Sequence, residues 1–437
     1  MTRKYLIEGG STLQGEISIR GAKNAVTKEM VASLLASGVS RLRNVPDIGD
    51  VDITRRVLES VGCKIKYDAE AGTLEMDGST LSTPEVPAEY SGLNRIPILM
   101  VGPLLHRFGR AVVPVMGGCV IGDRPIDFHL QGFQSLGAKV EYKDGAYHFE
   151  AKRLTGTRIT LPFPSVGATE NLMMAATLAK GTTEIRNAAI EPEIVDLALQ
   201  LQAMGAIISQ ETDRTWVIQG VKELHPADHK VINDRIEAAS FAVSAIATKG
   251  DVFIRGADQL HLLTFLNWIR RAGGDFEVFP DGIRFFGRDR KLCSIAAETG
   301  VHPGLMTDWQ QPLVILLTQA EGMSVIHETV YENRFGYVET LNRMGARIQV
   351  FDECLGGREC RFHHLGHKHS AVILGPTPLR GAEIEIPDLR AGFSYLVAAV
   401  LAQGQTKISG VRYIERGYDR VVEKFKALGA SIQVVEE

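Results

Sequence analysis

The chain has 437 residues, 45% hydrophobic and 23% charged, which supplies apolar material for two or three domain cores and excludes a mainly disordered chain. A formal net charge of −4 gives no general attraction to nucleic acid, and the most apolar runs, at 96–105 and 312–317, are too short to cross a bilayer as helices, so neither partner is expected. Five cysteines at low density, behind an opening MTRKYLIEGG without an apolar leader, point to a reduced, cytoplasmic setting.

In chain order, residues 14–19 predict a strand, 25–36 a helix and 39–45 a second strand. An amphipathic stretch then closes on Val61-Gly62-Cys63, and a β-rich run begins near Ile65. The closing phrase returns as Leu136-Gly137-Ala138, Met204-Gly205-Ala206, Ala272-Gly273-Gly274, Met344-Gly345-Ala346 and Leu428-Gly429-Ala430. A glycine behind a helix supplies a left-handed cap, and the β-branched residues after it favour a strand. The strand–helix–strand half of the unit recurs at 157–161, 168–178 and 182–185, and at 382–386, 392–402 and 406–408. The chain is therefore read as six βαβαββ units of about 73 residues each, stacked to share cores. Two domains of three units and an open solenoid both satisfy the repeat. A dinucleotide-binding fold fits less well, because no GxGxxG follows the first strand.

Candidate chemistry follows the same order. Lys23 and Asn24 stand between a strand and a helix, where a lysine and backbone N–H groups suit an anion, or where a solvated turn needs neither. Residues 117–125 form a glycine-rich loop with Cys119 and Arg124, a thiol beside a guanidinium suited to phosphate or carboxylate. Asp127 and His129 follow, Asp127 being read as a cap or structural residue. Asp308 precedes an apolar run and is either a helix N-cap or a general base. Arg334, Arg390 and Arg416 each have an acidic neighbour for a salt bridge, yet with Lys23 and Arg124 they also make an anion site. Cys63 and Cys293 sit in ordinary unit contexts and are read as inert. Cys354, Cys360, His363, His364, His367 and His369 fall close together. Zinc on Cys354, Cys360 and two histidines is one reading of them. Their spacing matches no standard finger, and Gly356-Gly357 marks a loop, so a solvated histidine-rich loop without a metal site is the reading adopted.

These motifs together resemble the UDP-N-acetylglucosamine enolpyruvyl transferase family and, more distantly, the shikimate-pathway enolpyruvyl transferases. The likeness runs from Gly15 to Val434 and is carried by 21–25, 117–129, 165–169, 191–196, 234–237, 332–334 and 416–418. It implies an inside-out α/β barrel fold of two domains, each of three βαβαββ repeats with helices inside and sheets outside. The implied domains are 1–22 plus 232–437, and 23–231, with the active site in the cleft between them. It further implies that Cys119 is a general acid on phosphoenolpyruvate and the residue alkylated by fosfomycin, and that Asp308 is the base for the sugar 3′-hydroxyl. Lys23, Arg124 and Arg416 match cations for phosphoenolpyruvate, Lys23 and Arg416 also belonging to the catalytic set, with Arg334 and Arg390 as further cleft arginines. Asn24, Arg95, Phe128, His129, Ser165, Val166, Gly167, Asp308 and Val330 match positions around UDP-N-acetylglucosamine. No metal or redox cofactor is implied. Two departures, Ser91-Gly92-Leu93-Asn94 with Pro97 near Arg95 and Leu305-Met306 with Trp309 around Asp308, leave open another uridine nucleotide as acceptor. A non-catalytic sugar-nucleotide-binding protein is the third reading.

Overall fold

The structure, a computed structural model, describes residues 3–116, 126–287, 290–357 and 360–436. Cys119 and Arg124 lie outside the described residues. Two compact units emerge, one of residues 3–20 and 233–436, the other of 21–116 and 126–232. Each has its own apolar core.

Among the described residues there are six sheets, five of four strands and one of three. The plan is clearest in the strands Arg158–Thr160, Thr182–Arg186, Ile207–Glu211 and Thr215–Gln219. The first pairs parallel to the second across the helix Val166–Ala176, and the last two add an antiparallel hairpin. The strands Ala296–Glu298, Gly322–His327, Arg347–Phe351 and Ser370–Gly375 repeat it. In the three-stranded sheet, the first strand shrinks to a single parallel bridge between Glu85 and Val112.

The strand–helix–strand read as one unit at 14–45 is corrected by the pairing. The strand Gln14–Ser18 pairs parallel with Asp251–Arg255, in the unit of residues 233–436. The strand Val39–Arg43 takes Asp228–Lys230 as its parallel partner instead. Both candidates are short β-prone segments, and a local reading cannot see which edge each one reaches. The strand Arg3–Glu8 likewise joins the carboxy-terminal sheet, paired on both sides by Gln405–Ser409 and Ser431–Glu436.

Helices of two kinds follow from composition. Arg235–Ala247 is rich in alanine with no charge after Glu237, and every residue of it is buried. Leu389–Leu401 and Thr307–Leu317 are nearly as buried and pack with it. Helices that are apolar all round belong inside a core. Gln259–Arg271 is instead amphipathic, burying Leu262, Phe265, Leu266 and Ile269 while Leu260 and Leu263 face outward. Sheet strands alternate buried and exposed residues, as in Val39–Arg43, as expected of layers with one face toward solvent.

The recurring glycine phrase has one structural cause. Gly62, Gly137, Gly205, Gly273, Gly345 and Gly429 all have φ between 87° and 103°. At each, the next residue's N–H donates to a carbonyl five positions back, as Cys63 does to Leu58 and Ala430 to Phe425. This closes the helix on a left-handed residue that glycine adopts without steric cost. Among the described residues, no helix is long and apolar enough to cross a membrane.

Candidate functional site

The helix Thr307–Leu317 begins behind Met306, which has extended backbone dihedrals, so Asp308 sits in the first turn and is not the cap. Its carboxylate turns sideways to two arginines. Arg334 Nη2 donates to Asp308 Oδ1 at 2.5 Å, and Arg390 Nε lies 3.5 Å from the same oxygen. Both guanidiniums are almost fully buried, while the Asp308 side chain is 18% exposed. Burial opposes the charge of Arg334, but Asp308, Asp388 and Glu328 outweigh it, and its pKa is raised. Arg390 is also raised against burial, by Tyr418 and Asp308.

Local sequence explains each position. Asp388 accepts from the N–H groups of Arg390 and Ala391, capping the helix Leu389–Leu401 and setting Arg390 in its first turn. The acidic neighbour of Arg390 is therefore a cap, not its salt bridge. Arg390 Nη1 donates to the Tyr418 hydroxyl at 2.9 Å, two residues beyond half-buried Arg416. Glu328 accepts from Thr307 Oγ1 at 2.9 Å and from the N–H groups of Val330 and Tyr331. Val330 is thus held through Glu328 to the residue preceding Asp308. Sequence reasoning missed Thr307, Glu328 and Tyr418. The Thr-Asp pair and the Tyr two residues after Arg416 were the available signals.

In the other unit, Lys23 opens the helix Lys23–Ala32, where the helix dipole disfavours a cation. Asp50 compensates at 2.9 Å from the Lys23 ammonium, itself in the first turn of the helix Gly49–Ser60. Asn24, the next residue, has a carbonyl that accepts from Lys28 Nζ. A second group gathers around His129. Asn171 Nδ2 donates one hydrogen to the Ile98 carbonyl and the other to His129 Nδ1, both at 2.9 Å. The His129 proton is accordingly assigned to Nε2. Burial, with Arg95 adding to it, pushes His129 down to about 3, so the ring is neutral. A side chain at Gly167 would stand 3.6 Å from His129 Nε2. Ser165 caps the helix Val166–Ala176 by accepting from Ala168 N–H. Arg95, His129 and the 165–167 helix start thus share one neighbourhood, with Phe128 beside His129 in the helix Asp127–Ser135. Asp127 is the first residue of that helix and Ile126 its cap position.

Cys63 behaves as expected of an inert thiol, burial pushing it up to about 12. The histidine-rich stretch is not solvated throughout. His369 is fully buried, and Cys354, Cys360 and His369 converge on His327, a residue outside the stretch. His327 ends an apolar strand and gave no local signal.

The fold is that of the enolpyruvyl transferases, and the chain belongs to the EPSP synthase (3-phosphoshikimate 1-carboxyvinyltransferase) family, whose profile matches residues 7–425. Within that family it is 52% identical to the UDP-N-acetylglucosamine 1-carboxyvinyltransferase of Protochlamydia amoebophila, over 99% of this chain and 94% of the relative. It is 47% identical to the protein of that name from Chlamydia abortus, over 98% and 97% of the two chains. For UDP-N-acetylglucosamine 1-carboxyvinyltransferase 1 of Staphylococcus epidermidis the figure is 41%, over 99% of each. Among solved structures, the enolpyruvyl transferase NikO from Streptomyces tendae superposes with a TM-score of 0.88 at 25% identity, over 99% of both chains. An EPSP synthase from Acinetobacter baumannii shares the fold, with a TM-score of 0.77 at 19% identity over the full length of both.

Proposed function

We propose that this protein transfers the enolpyruvyl group of phosphoenolpyruvate to the 3′-hydroxyl of UDP-N-acetylglucosamine and releases phosphate. The observation that carries the reading is the identity of 41–52%, over nearly the whole chain, with proteins named for that activity. The reaction is the first committed step of peptidoglycan synthesis, which places the protein in the cytoplasm and links it to cell-wall growth and division.

Phosphoenolpyruvate carries a carboxylate and a phosphate a few bonds apart, so several cations are needed to neutralise and orient it. Lys23, Arg124, Arg334, Arg390 and Arg416 take that role, the planar guanidiniums matching both anions in a two-point grip. Cys119 delivers a proton to the methylene carbon, leaving an oxocarbenium-like centre. The sugar hydroxyl attacks that centre and gives its proton to Asp308. The tetrahedral intermediate then loses inorganic phosphate and a proton from the methyl group, which restores the double bond. No electrons change hands, so the reaction requires no redox cofactor. Asn24, Arg95, Phe128, His129, Ser165, Val166, Gly167 and Val330 hold the sugar nucleotide. A neutral His129 offers an Nε2–H donor without adding charge, and the helix start at 165–167 offers backbone donors to an anionic nucleotide.

Phosphate release from phosphoenolpyruvate with UDP-N-acetylglucosamine tests the reading. Release only with another uridine nucleotide would reassign the acceptor, and release with none would leave a binding protein. The Cys119→Asp variant is expected to keep turnover and resist fosfomycin, since a carboxyl delivers a proton but is a poor target for alkylation. Equal rates of inactivation of wild type and variant would remove Cys119 as the drug's target.

A further inference from the structure

Four side chains outside the transfer chemistry converge at one end of the sheet built on Gly322–His327 and Ser370–Gly375. They are His327, Cys354, Cys360 and His369, and one ligand atom of each lies within 4.8 Å of all the others. Cys354 Sγ is 3.7 Å from Cys360 Sγ and 3.3 Å from His369 Nε2. These are the dimensions of a tetrahedral site. Zinc bonds of about 2.3 Å to sulfur and about 2.0–2.1 Å to nitrogen give edges of roughly 3.8 Å between sulfurs and roughly 3.5 Å between sulfur and nitrogen. A disulfide would need the sulfurs about 2 Å apart.

The shell around them is also built for a metal. His327 is fully buried; its Nδ1 is 2.9 Å from Glu298 Oε2, which fixes the proton there and turns Nε2 inward. That Nε2 is buried without a hydrogen-bond partner among the described residues. His369 repeats the arrangement, its Nδ1 sitting 2.6 Å from the His367 carbonyl while Nε2 faces Cys354. A metal-bound histidine characteristically passes its other N–H to a carboxylate or a carbonyl in this way. Phe362 N–H donates to Cys360 Sγ at 3.4 Å, as suits a thiolate. A side chain at Gly356 would come within 2.0 Å of Glu298 and 2.1 Å of His327, so only glycine lets the loop close over the pair. Two thiolates and two neutral imidazoles balance a divalent cation, and this soft, four-coordinate set favours zinc.

We infer that His327, Cys354, Cys360 and His369 bind a structural zinc(II) ion. Binding would release the two thiol protons and leave all four positions filled by protein, so the ion has no place for substrate. It would clip the 352–369 loop to the strand ending at His327. The same loop reaches Val330, whose carbonyl accepts from Arg361, so the clip braces the edge of the site without taking part in the reaction.

The test is the zinc content of the full-length protein, purified with a thiol reductant, loaded with zinc and desalted. Wild type is expected to retain about one equivalent, and Cys354→Ser with Cys360→Ser about a tenth or less. His363→Gln and His364→Gln, which alter the same stretch but not the cluster, are expected to retain the wild-type content. Glu298→Gln keeps all four ligands and should weaken zinc about 10–100-fold in competition with a chromophoric chelator. Cobalt(II) in place of zinc should show thiolate charge-transfer and tetrahedral visible bands, a readout independent of activity. If the double serine variant fails to fold, the Glu298→Gln affinity and the cobalt spectrum of wild type still decide. Wild type holding no more zinc than the serine variant, octahedral cobalt, or a Cys354–Cys360 disulfide in reduced preparations would each overturn the assignment.

Discussion

Asp308 shows how a single side chain changes meaning between sequence and structure. Its sequence context suits a helix cap, yet Met306 holds the cap position and Asp308 faces Arg334 and Arg390. Arg334, whose neighbour Glu332 offered a salt bridge, is paired with Asp308, while Glu332 lies 3.5 Å from Arg361. Burial decides this, because a buried guanidinium must find a carboxylate inside, and the nearest in sequence is not the nearest in space. Asp308→Asn removes the proposed base but leaves Arg334 the charges of Asp388 and Glu328. The expected outcome is a fall in turnover of about 10²–10⁴-fold in the phosphate-release assay, with the melting temperature lower by only a few degrees. A loss under tenfold would remove Asp308 from the proton transfer. His129 and the helix start at 165–167 carried no local mark of their proximity; only the resemblance linked them.

At the scale of elements, the glycine phrases were legible because a left-handed cap has a strong residue preference. What surrounds each glycine was not. A side chain at Gly429 meets nothing within 4 Å, whereas one at Gly62 would stand 2.3 Å from Ser82 Oγ and 2.9 Å from the Thr80 carbonyl. Gly429→Ala should cost about 1 kcal/mol for its positive φ, and Gly62→Ala about 2–4 kcal/mol because the chain must also move. Urea unfolding checks the ranking, and equal costs would contradict it. The inner helices carry a second element-level effect. Glu237 is buried in Arg235–Ala247 and bonds Lys424 of the helix Val421–Ala427 at 2.7 Å. Burial pushes Glu237 up to about 7 from its ordinary 4.5, with Lys424 pulling downward and Asp234 and Asp419 upward. A raised carboxyl stabilises the fold fully below pH 4.5, and that contribution is lost as pH rises toward 7. Glu237→Gln cannot ionise, so the stability of wild type relative to this variant should drop by the order of 2–3 kcal/mol between pH 4.5 and 8. A difference that stays flat across that range would show that Glu237 titrates normally.

For the molecule as a whole, chain order and spatial order diverge at the amino terminus. The strand Arg3–Glu8 is internal to its sheet, and Gln14–Ser18 completes another in the same unit. Residues 233–437 alone would lack both strands and leave two sheets with unpaired edges over an open core. That fragment is expected to aggregate or remain molten, and a permuted chain carrying 1–20 behind residue 437 to fold cooperatively. Residues 21–232 hold a complete set of strands and their own core and should fold alone. Dispersed amide spectra and thermal melts of the three proteins would check this. Cooperative folding of 233–437 without 1–20 would refute it.

The sequence by itself determined the repeat and the glycine that closes one helix of each unit, since these rest on local preferences: period, and glycine at positive φ. With the family resemblance it also marked Lys23, Asp308, Arg334, Arg390 and Arg416. Only the tertiary structure decided which strand 14–18 joins, that Asp308 is gripped by two buried arginines, and that His327 meets Cys354, Cys360 and His369. Those contacts join residues far apart in the chain, and they are chosen by which buried charges and ligands can satisfy one another once the cores have closed.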